Sequence, residues 1–341
     1  MIIIKYIFNY WLITILLLST NSFANNKKIS ELSILKPTEM NIDIKAPDNN
    51  GISYNQYKQF YTLRNVITHL NNDASQNKNM LKQRTGAAKW IINEVTSNSK
   101  TKLNGVLNIK GTPAKVVIVN PNGITCNGCQ FTNATAVDLI VGRLFYINKT
   151  ISYHTNKGKI IFAGKGIHSD GNFTDQKNNL LAKLFVYAGQ VQLKDNANIH
   201  VAEQHYAIGN YNTYHYLDFA GRAIMTGEKI ATKFTIGKSS QIYANKLTIF
   251  NGEGLNLHNQ GSIITHDIMN VNADHIINEG SIMAYENTDT SPLSGMYIST
   301  KHLVNHYNGR ISATKGKIGF KQSYLPFGQQ DKNIKITKLT Y

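Results

Sequence analysis

The chain has 341 residues, with 36 Lys+Arg against 20 Asp+Glu, a formal net charge of +16, and only two cysteines. That length can bury a long continuous core, and two cysteines leave no second Cys pair to complete a finger-like zinc site. The basic residues are spread evenly with no nucleic-acid motif, so the charge favours anionic surfaces such as lipopolysaccharide or sulfated glycan without forming a directed patch.

Residues 1–24 read as a cleaved secretory leader. Lys5 and the α-amino group precede an apolar stretch, Trp11–Leu18, and Ser22-Phe23-Ala24 is a small-x-small cleavage site before Asn25. Asn9 and Asn21 interrupt the uncharged run Tyr6–Ala24, which is too short and too polar for a membrane span. Removal of Lys5 with the leader leaves 35 basic residues against 20 acidic ones.

Beyond Ala24 there is almost no helical periodicity. An aromatic opening, Tyr54, Tyr57, Phe60 and Tyr61, suits a cap over the end of a core. Ala87–Val95 fits a short helix or a strand equally. Short β-patterned runs follow, separated by Gly and Asn: Gly105–Ile109, Lys115–Val119, Lys159–Ala163, Leu184–Tyr187, Val191–Leu193 and Lys246–Phe250.

After Lys115–Val119 comes Asn120-Pro121-Asn122-Gly123-Ile124, a hard turn: Pro presets φ, and Asn and Gly tolerate the left-handed region. Asn127-Gly128 repeats the signal between Cys126 and Cys129. In a secreted chain two cysteines three apart imply one local disulfide, which removes roughly 2 kcal/mol of chain entropy. Such a bridge locks a corner and does not hold a domain together.

Asn259-Gln260-Gly261-Ser262-Ile263 recurs nineteen residues later as Asn278-Glu279-Gly280-Ser281-Ile282, with a degenerate copy at Asn308-Gly309-Arg310-Ile311. A period near 20 in an all-β chain predicts a solenoid, one coil of about three short strands per repeat, with capped ends. His154–Gln190 and Tyr206–Thr226 break the period and predict projecting hairpins or extra strands, and Asn287–Gly295 predicts a loop inserted in one coil. The basic ending Lys332–Lys338, without a polar cap, suggests a truncated remnant of a longer gene as the alternative to a short secreted chain.

Enzymatic candidates are sparse. β-Helices also carry polysaccharide lyases and hydrolases, which is the rival reading, and these need paired carboxylates or a Ca²⁺ site with an Arg base. Asp267, Asp274 and Glu279 lie close in sequence, and Asp274 and Glu279 fit one edge, but no acidic cluster stands out. His302 and His306 share a strand face, and His200 and His205 do not if the strand continues; neither pair has a matching carboxylate triad. No catalytic residue, metal ligand or cofactor is expected.

Several motifs in order resemble the N-terminal secretion domain of two-partner secretion exoproteins, the filamentous-haemagglutinin type also found in haemolysins and contact-dependent inhibition toxins of Gram-negative bacteria. They are Gly51-Ile52-Ser53-Tyr54-Asn55-Gln56-Tyr57 with Phe60 and Asn71-Asn72, Asn93-Glu94-Val95, Leu103-Asn104-Gly105 and Asn120-Pro121-Asn122-Gly123-Ile124. Cys126-Asn127-Gly128-Cys129 is similar to the cysteine-bearing subgroup, and Val141-Gly142-Arg143 fits as well. Where relatives carry Asn-Pro-Asn-Leu, this chain has Asn77-Lys78-Asn79-Met80, keeping both Asn and losing the Pro.

The resemblance implies an all-β, right-handed parallel β-helix with an N-terminal cap and small extra-helical β elements. It divides the chain into a leader (1–24), a secretion domain (25–265) and further coils (266–341). It implies Sec-dependent passage to the periplasm and export through a TpsB-type outer-membrane barrel with POTRA domains; a cell-surface receptor is a further expected partner, and the charge adds an anionic glycan as another, with no nucleic acid expected. Asn120, Pro121, Asn122, Gly123, Ile124, Asn77, Asn79, Asn93 and Glu94 are then the candidate recognition residues. Turn geometry accounts for the same residue types, so both roles stand at this point.

Overall fold

The structure is a computed structural model and describes residues 38–147, 149–167, 181–216, 223–228, 231–250, 254–285, 295–313 and 319–320. The chain divides into a short unit, Met1–Thr38, and a long one, Glu39–Tyr341. The expected leader, the bulk of the loop expected at 287–295 and the basic ending lie outside the described residues.

The long unit is a parallel β-helix with three strand faces around one core. On the first face Ile52–Tyr57, Trp90–Val95, Ala114–Val119, Ala134–Ile140, Lys183–Ala188 and Glu203–Ile208 pair in that order, all parallel. Later strands run round corners unbroken: Ser262–Asn278 serves the third, first and second faces in turn. That strand also continues unbroken past residue 265, turning a corner there.

Alternation of side chains makes the core. One inward row on the first face reads Ile91, Val116, Val137, Leu184, Gln204, Leu247, Met269 and Met296 on successive coils, all fully buried. Rungs about 4.8 Å apart keep such side chains in contact. Each aliphatic one contributes about 1.5–3 kcal/mol by leaving water. Gln204 interrupts the row, yet its amide is satisfied: Nε2 donates to Tyr243 O (2.8 Å) and Val201 O (3.1 Å), and Oε1 accepts from the Tyr206 hydroxyl (2.8 Å).

Ala87–Val95 resolves as the strand Trp90–Val95. The described residues contain one α-helix, α1 (Lys78–Gln83), at the site of the altered Asn77-Lys78-Asn79-Met80 motif. Asn77 is its N-cap, so Lys78 stands at the first helical position, where proline is favoured but not required. The motif therefore starts a helix, and α1 buries Met80 in the main core.

The extra-helical elements differ from expectation in their boundaries. Gly142–Ile147, Thr150–Thr155, Asn210–Tyr216 and Ala223–Glu228 form a four-stranded antiparallel sheet. The chain leaves the solenoid at Gly142, before the expected His154, because the run Val141-Gly142-Arg143 turns directly into the first hairpin. Lys159–Ile167 and Lys183–Ala188, inside the segment expected to project, are ordinary solenoid strands.

The Asn repeat is a buried ladder. Asn259 Nδ2 donates to Asn278 Oδ1 (2.8 Å) and Asn278 Nδ2 to Asn305 Oδ1 (2.7 Å). Asn305, and not Asn308, is thus the third rung, although Arg310 and Ile311 do align with Ser281 and Ile282. The coil of Asn305 has a different length between ladder and strand, which shifts the apparent motif.

Candidate functional site

Asn120–Ile124 forms the corner between the first and second faces. Asn120 follows Ala114–Val119 and is fully buried. Its Nδ2 donates to Ser99 O and Thr101 Oγ1, both at 2.9 Å, and its Oδ1 accepts from the Asn122 backbone N–H at 2.9 Å. Asn122 Nδ2 donates to Ser97 O (2.7 Å), the Gly123 N–H to Asn120 O (3.2 Å), and Pro121 O accepts from Asn156 Nδ2 (2.9 Å). Gly123 has φ +112°, and a Cβ there would meet Lys159 O at 3.0 Å. Ile124, fully buried, begins the next strand. The corner thus ties its own coil to the coil before and the coil after.

The cysteine pair occupies the next corner of the same coil, between the second and third faces. Cys126 and Cys129 are bonded and buried, with Gly128 at φ +70° between them. Asn127 Nδ2 donates to Asn104 Oδ1 (3.3 Å), so this corner stacks on Leu103-Asn104-Gly105 of the preceding coil.

The other motif residues lie on earlier coils and at α1. Asn93 points into the core above Asn55, with its Oδ1 accepting from the Tyr57 hydroxyl (3.3 Å). Burial pushes the Tyr57 phenol up to about 12. Glu94 faces outward and accepts from the Tyr54 hydroxyl and from Gln56 Nε2 (3.2 Å). Asn77 is fully buried: Oδ1 accepts from the N–H groups of Asn79 (2.8 Å) and Met80 (3.2 Å), and Nδ2 donates to Asn71 O (2.6 Å) and Ile44 O (3.0 Å). Asn79 Nδ2 also donates to Ile44 O (3.0 Å). Both Asn residues therefore fasten α1 to the N-terminal segment. The motif residues do not converge on one pocket; they fix successive corners and the start of α1.

Sequence reasoning missed a buried ion pair. Asp138, on the outer side of the first face, is fully buried, and its carboxylate meets Lys115 Nζ at 2.9 Å and the Tyr153 hydroxyl at 3.4 Å. Lys115 Nζ sits 4.2 Å from the Trp90 ring centroid and 4.9 Å from that of Phe185. Tyr153 comes from the antiparallel sheet, and with Leu144, Ile151, Ile92, Val117, Ile140 and Tyr187 it forms a second apolar cluster outside the solenoid. Loss of water raises the Asp138 carboxyl above the ordinary range, the Lys115 charge only partly offsetting it, and raises the Tyr153 and Tyr187 phenols further. The signal was present in Ala114–Val119, where four consecutive apolar residues predict burial on both faces.

The candidate acids are separated by the cross-section. Asp267, Asp274 and Glu279 fall at three different corners of one coil. Asp274 pairs with Lys301 (3.0 Å), Glu279 with His258 (2.9 Å) and Gln260 (2.9 Å), and Asp267 lies 3.9 Å from Lys246. Among the described residues no three His, Cys, Asp or Glu side chains gather as a metal site.

The family model for the TPS secretion domain matches residues 19–284. The chain is 29% identical over 273 residues to Toxin CdiA of Yersinia pestis, covering 75% of this chain and 8% of that protein. It is 35% identical over 143 residues to Hemolysin of Proteus mirabilis, covering 38% of this chain and 9% of that protein. The crystal structure of the filamentous hemagglutinin secretion domain superposes with a TM-score of 0.50 at 20% identity, over 85% of this chain and 93% of that one, a likeness of fold. The chain spans less than a tenth of the length of these curated relatives.

Proposed function

The chain belongs to the two-partner secretion (TPS) domain family, and we propose that it directs a secreted exoprotein to a TpsB-type outer-membrane transporter. The observation that carries this reading is a family match running through the solenoid, with the shared motifs at its cap and first corners. Residues 1–24 serve as the Sec leader, 25–265 as the export-directing part and 266–341 as further coils. The barrel's POTRA domains receive the chain in the periplasm, and a cell-surface receptor meets it outside. In this reading the chain catalyses no reaction.

Two physical features fit such a route. A solenoid folds coil by coil, each finished rung templating the next, so folding at the far side of the pore opposes return. The Cys126–Cys129 bridge spans four residues and can thread a narrow channel, which a long-range disulfide cannot. The side chains of Asn77, Asn120 and Asn122 are spent on internal hydrogen bonds in the folded state. A transporter that reads them therefore reads them before folding.

The test is export with and without the co-expressed transporter. The chain is expected in the medium only with its partner, and equal export without it overturns the reading. Peptide 110–135 carrying Asn122→Ala adds a second arm: weaker binding to the transporter's periplasmic part supports reading of the side chain, and unchanged binding leaves the corner a purely structural element of an exported chain.

A further inference from the structure

On the second face, four successive coils place basic and polar groups in register. Lys159, Gln190 and Lys233 stack as one outward row, and Ile161, Gln192, Thr235 and His258 as the next. Apart from Ile161, these side chains and the turn residues Lys194, Asp195 and Gln260 line a cleft of about 600 Å³. Asp195 receives the backbone N–H of Lys238 (2.9 Å), and His258 and Gln260 are held by Glu279. Lys159, Lys194 and Lys233 have no ion-pair partner among the described residues, and the half-buried Gln190 and Gln192 amides have no hydrogen-bond partner among them.

We propose that this cleft binds an anionic polysaccharide, its chain running along the solenoid axis. Rungs are about 4.8 Å apart, so Lys159 and Lys233 stand about 10 Å apart along that axis, with amides between them. An extended glycan repeats its sulfate or carboxylate groups and its hydroxyls along a line in the same manner. The lysines take the anionic groups, and Gln190, Gln192 and Thr235 take the hydroxyls. Single-stranded nucleic acid, which relies on aromatic stacking platforms, finds none, since the lining has no Phe, Tyr or Trp. The same lack leaves a neutral glycan without a ring to stack on. The chain's +16 charge supplies long-range attraction, and the cleft supplies the geometry.

The experiment titrates the full chain with dextran sulfate, uncharged dextran and oligo-dT by calorimetry. The variant Lys159→Gln/Lys233→Gln is compared with Lys58→Gln/Lys82→Gln, which removes the same charge at exposed sites outside the cleft. The cleft variant is expected to lose about tenfold in affinity for dextran sulfate, and the control less than about twofold, as for screened surface charges. Equal losses in the two variants, uncharged dextran bound as tightly as its sulfate, or oligo-dT bound as tightly as dextran sulfate each overturn the proposal. The outcome is independent of export, since the purified chain is used.

Discussion

Replacing Asn120 with Ala tests whether the first corner is held as the geometry indicates. The substitution removes two donors, to Ser99 O and Thr101 Oγ1, and one acceptor, shared by the Asn122 N–H and, more weakly at 3.2 Å, Asn122 Nδ2. Thr101 is buried and Ser99 and Asn122 are half-buried, so each of the three 2.9 Å bonds costs about 1 kcal/mol and the total is about 3 kcal/mol. Asn122→Ala, half-buried, strips Ser97 O of one partner and costs about 1 kcal/mol. With a urea slope of about 3 kcal/mol/M, the midpoint falls by about 1 M for Asn120→Ala and about 0.3 M for Asn122→Ala. Urea unfolding is followed by far-ultraviolet circular dichroism and by intrinsic fluorescence, coincident transitions justifying the conversion. An Asn120→Ala midpoint within about 0.2 M of the parent, or equal costs for the two variants, refutes the reasoning.

Cys126→Ser/Cys129→Ser is expected to lower stability by about 2 kcal/mol with export retained; complete loss of the chain from the medium contradicts it. Lys115→Met leaves Asp138 buried without its cation and should cost about 3–5 kcal/mol, whereas Lys115→Met/Asp138→Leu regains most of it; urea midpoints separate the two outcomes. Because the native Asp138 carboxyl titrates above its unfolded value, its contribution is largest at low pH and falls as pH rises from the ordinary carboxylate range to the raised native one. Parent stability minus that of Asp138→Asn must therefore decline across that interval and level above it; a rising difference would falsify the burial argument. Asn278→Ala breaks the ladder at its centre and should cost about 2–3 kcal/mol, measured by urea unfolding, with no cost if the ladder amides are exchangeable with water.

The sequence alone determined what local chemistry determines. Short β runs between Asn and Gly, a recurring Asn-x-Gly-Ser-Ile unit and the Asn-Pro-Asn-Gly corner specify a coiled parallel sheet, because turn geometry and side-chain alternation act within a few residues. The cysteine pair is equally local: its spacing alone put both sulfurs at one turn.

What the tertiary structure decided depends on register between coils of unequal length. Asp274 and Glu279 are five positions apart yet stand at different corners, and Asn305 supplants Asn308 in the ladder. Asp138 alternates with Val137 and Leu139, so by pattern it faces solvent. Only the antiparallel sheet that leaves the solenoid at Gly142 covers it, and only the pairing of successive coils brings Lys115 beneath its carboxylate. A strand's own pattern tells which side chains share a face; what lies over that face is set by elements the strand does not encode.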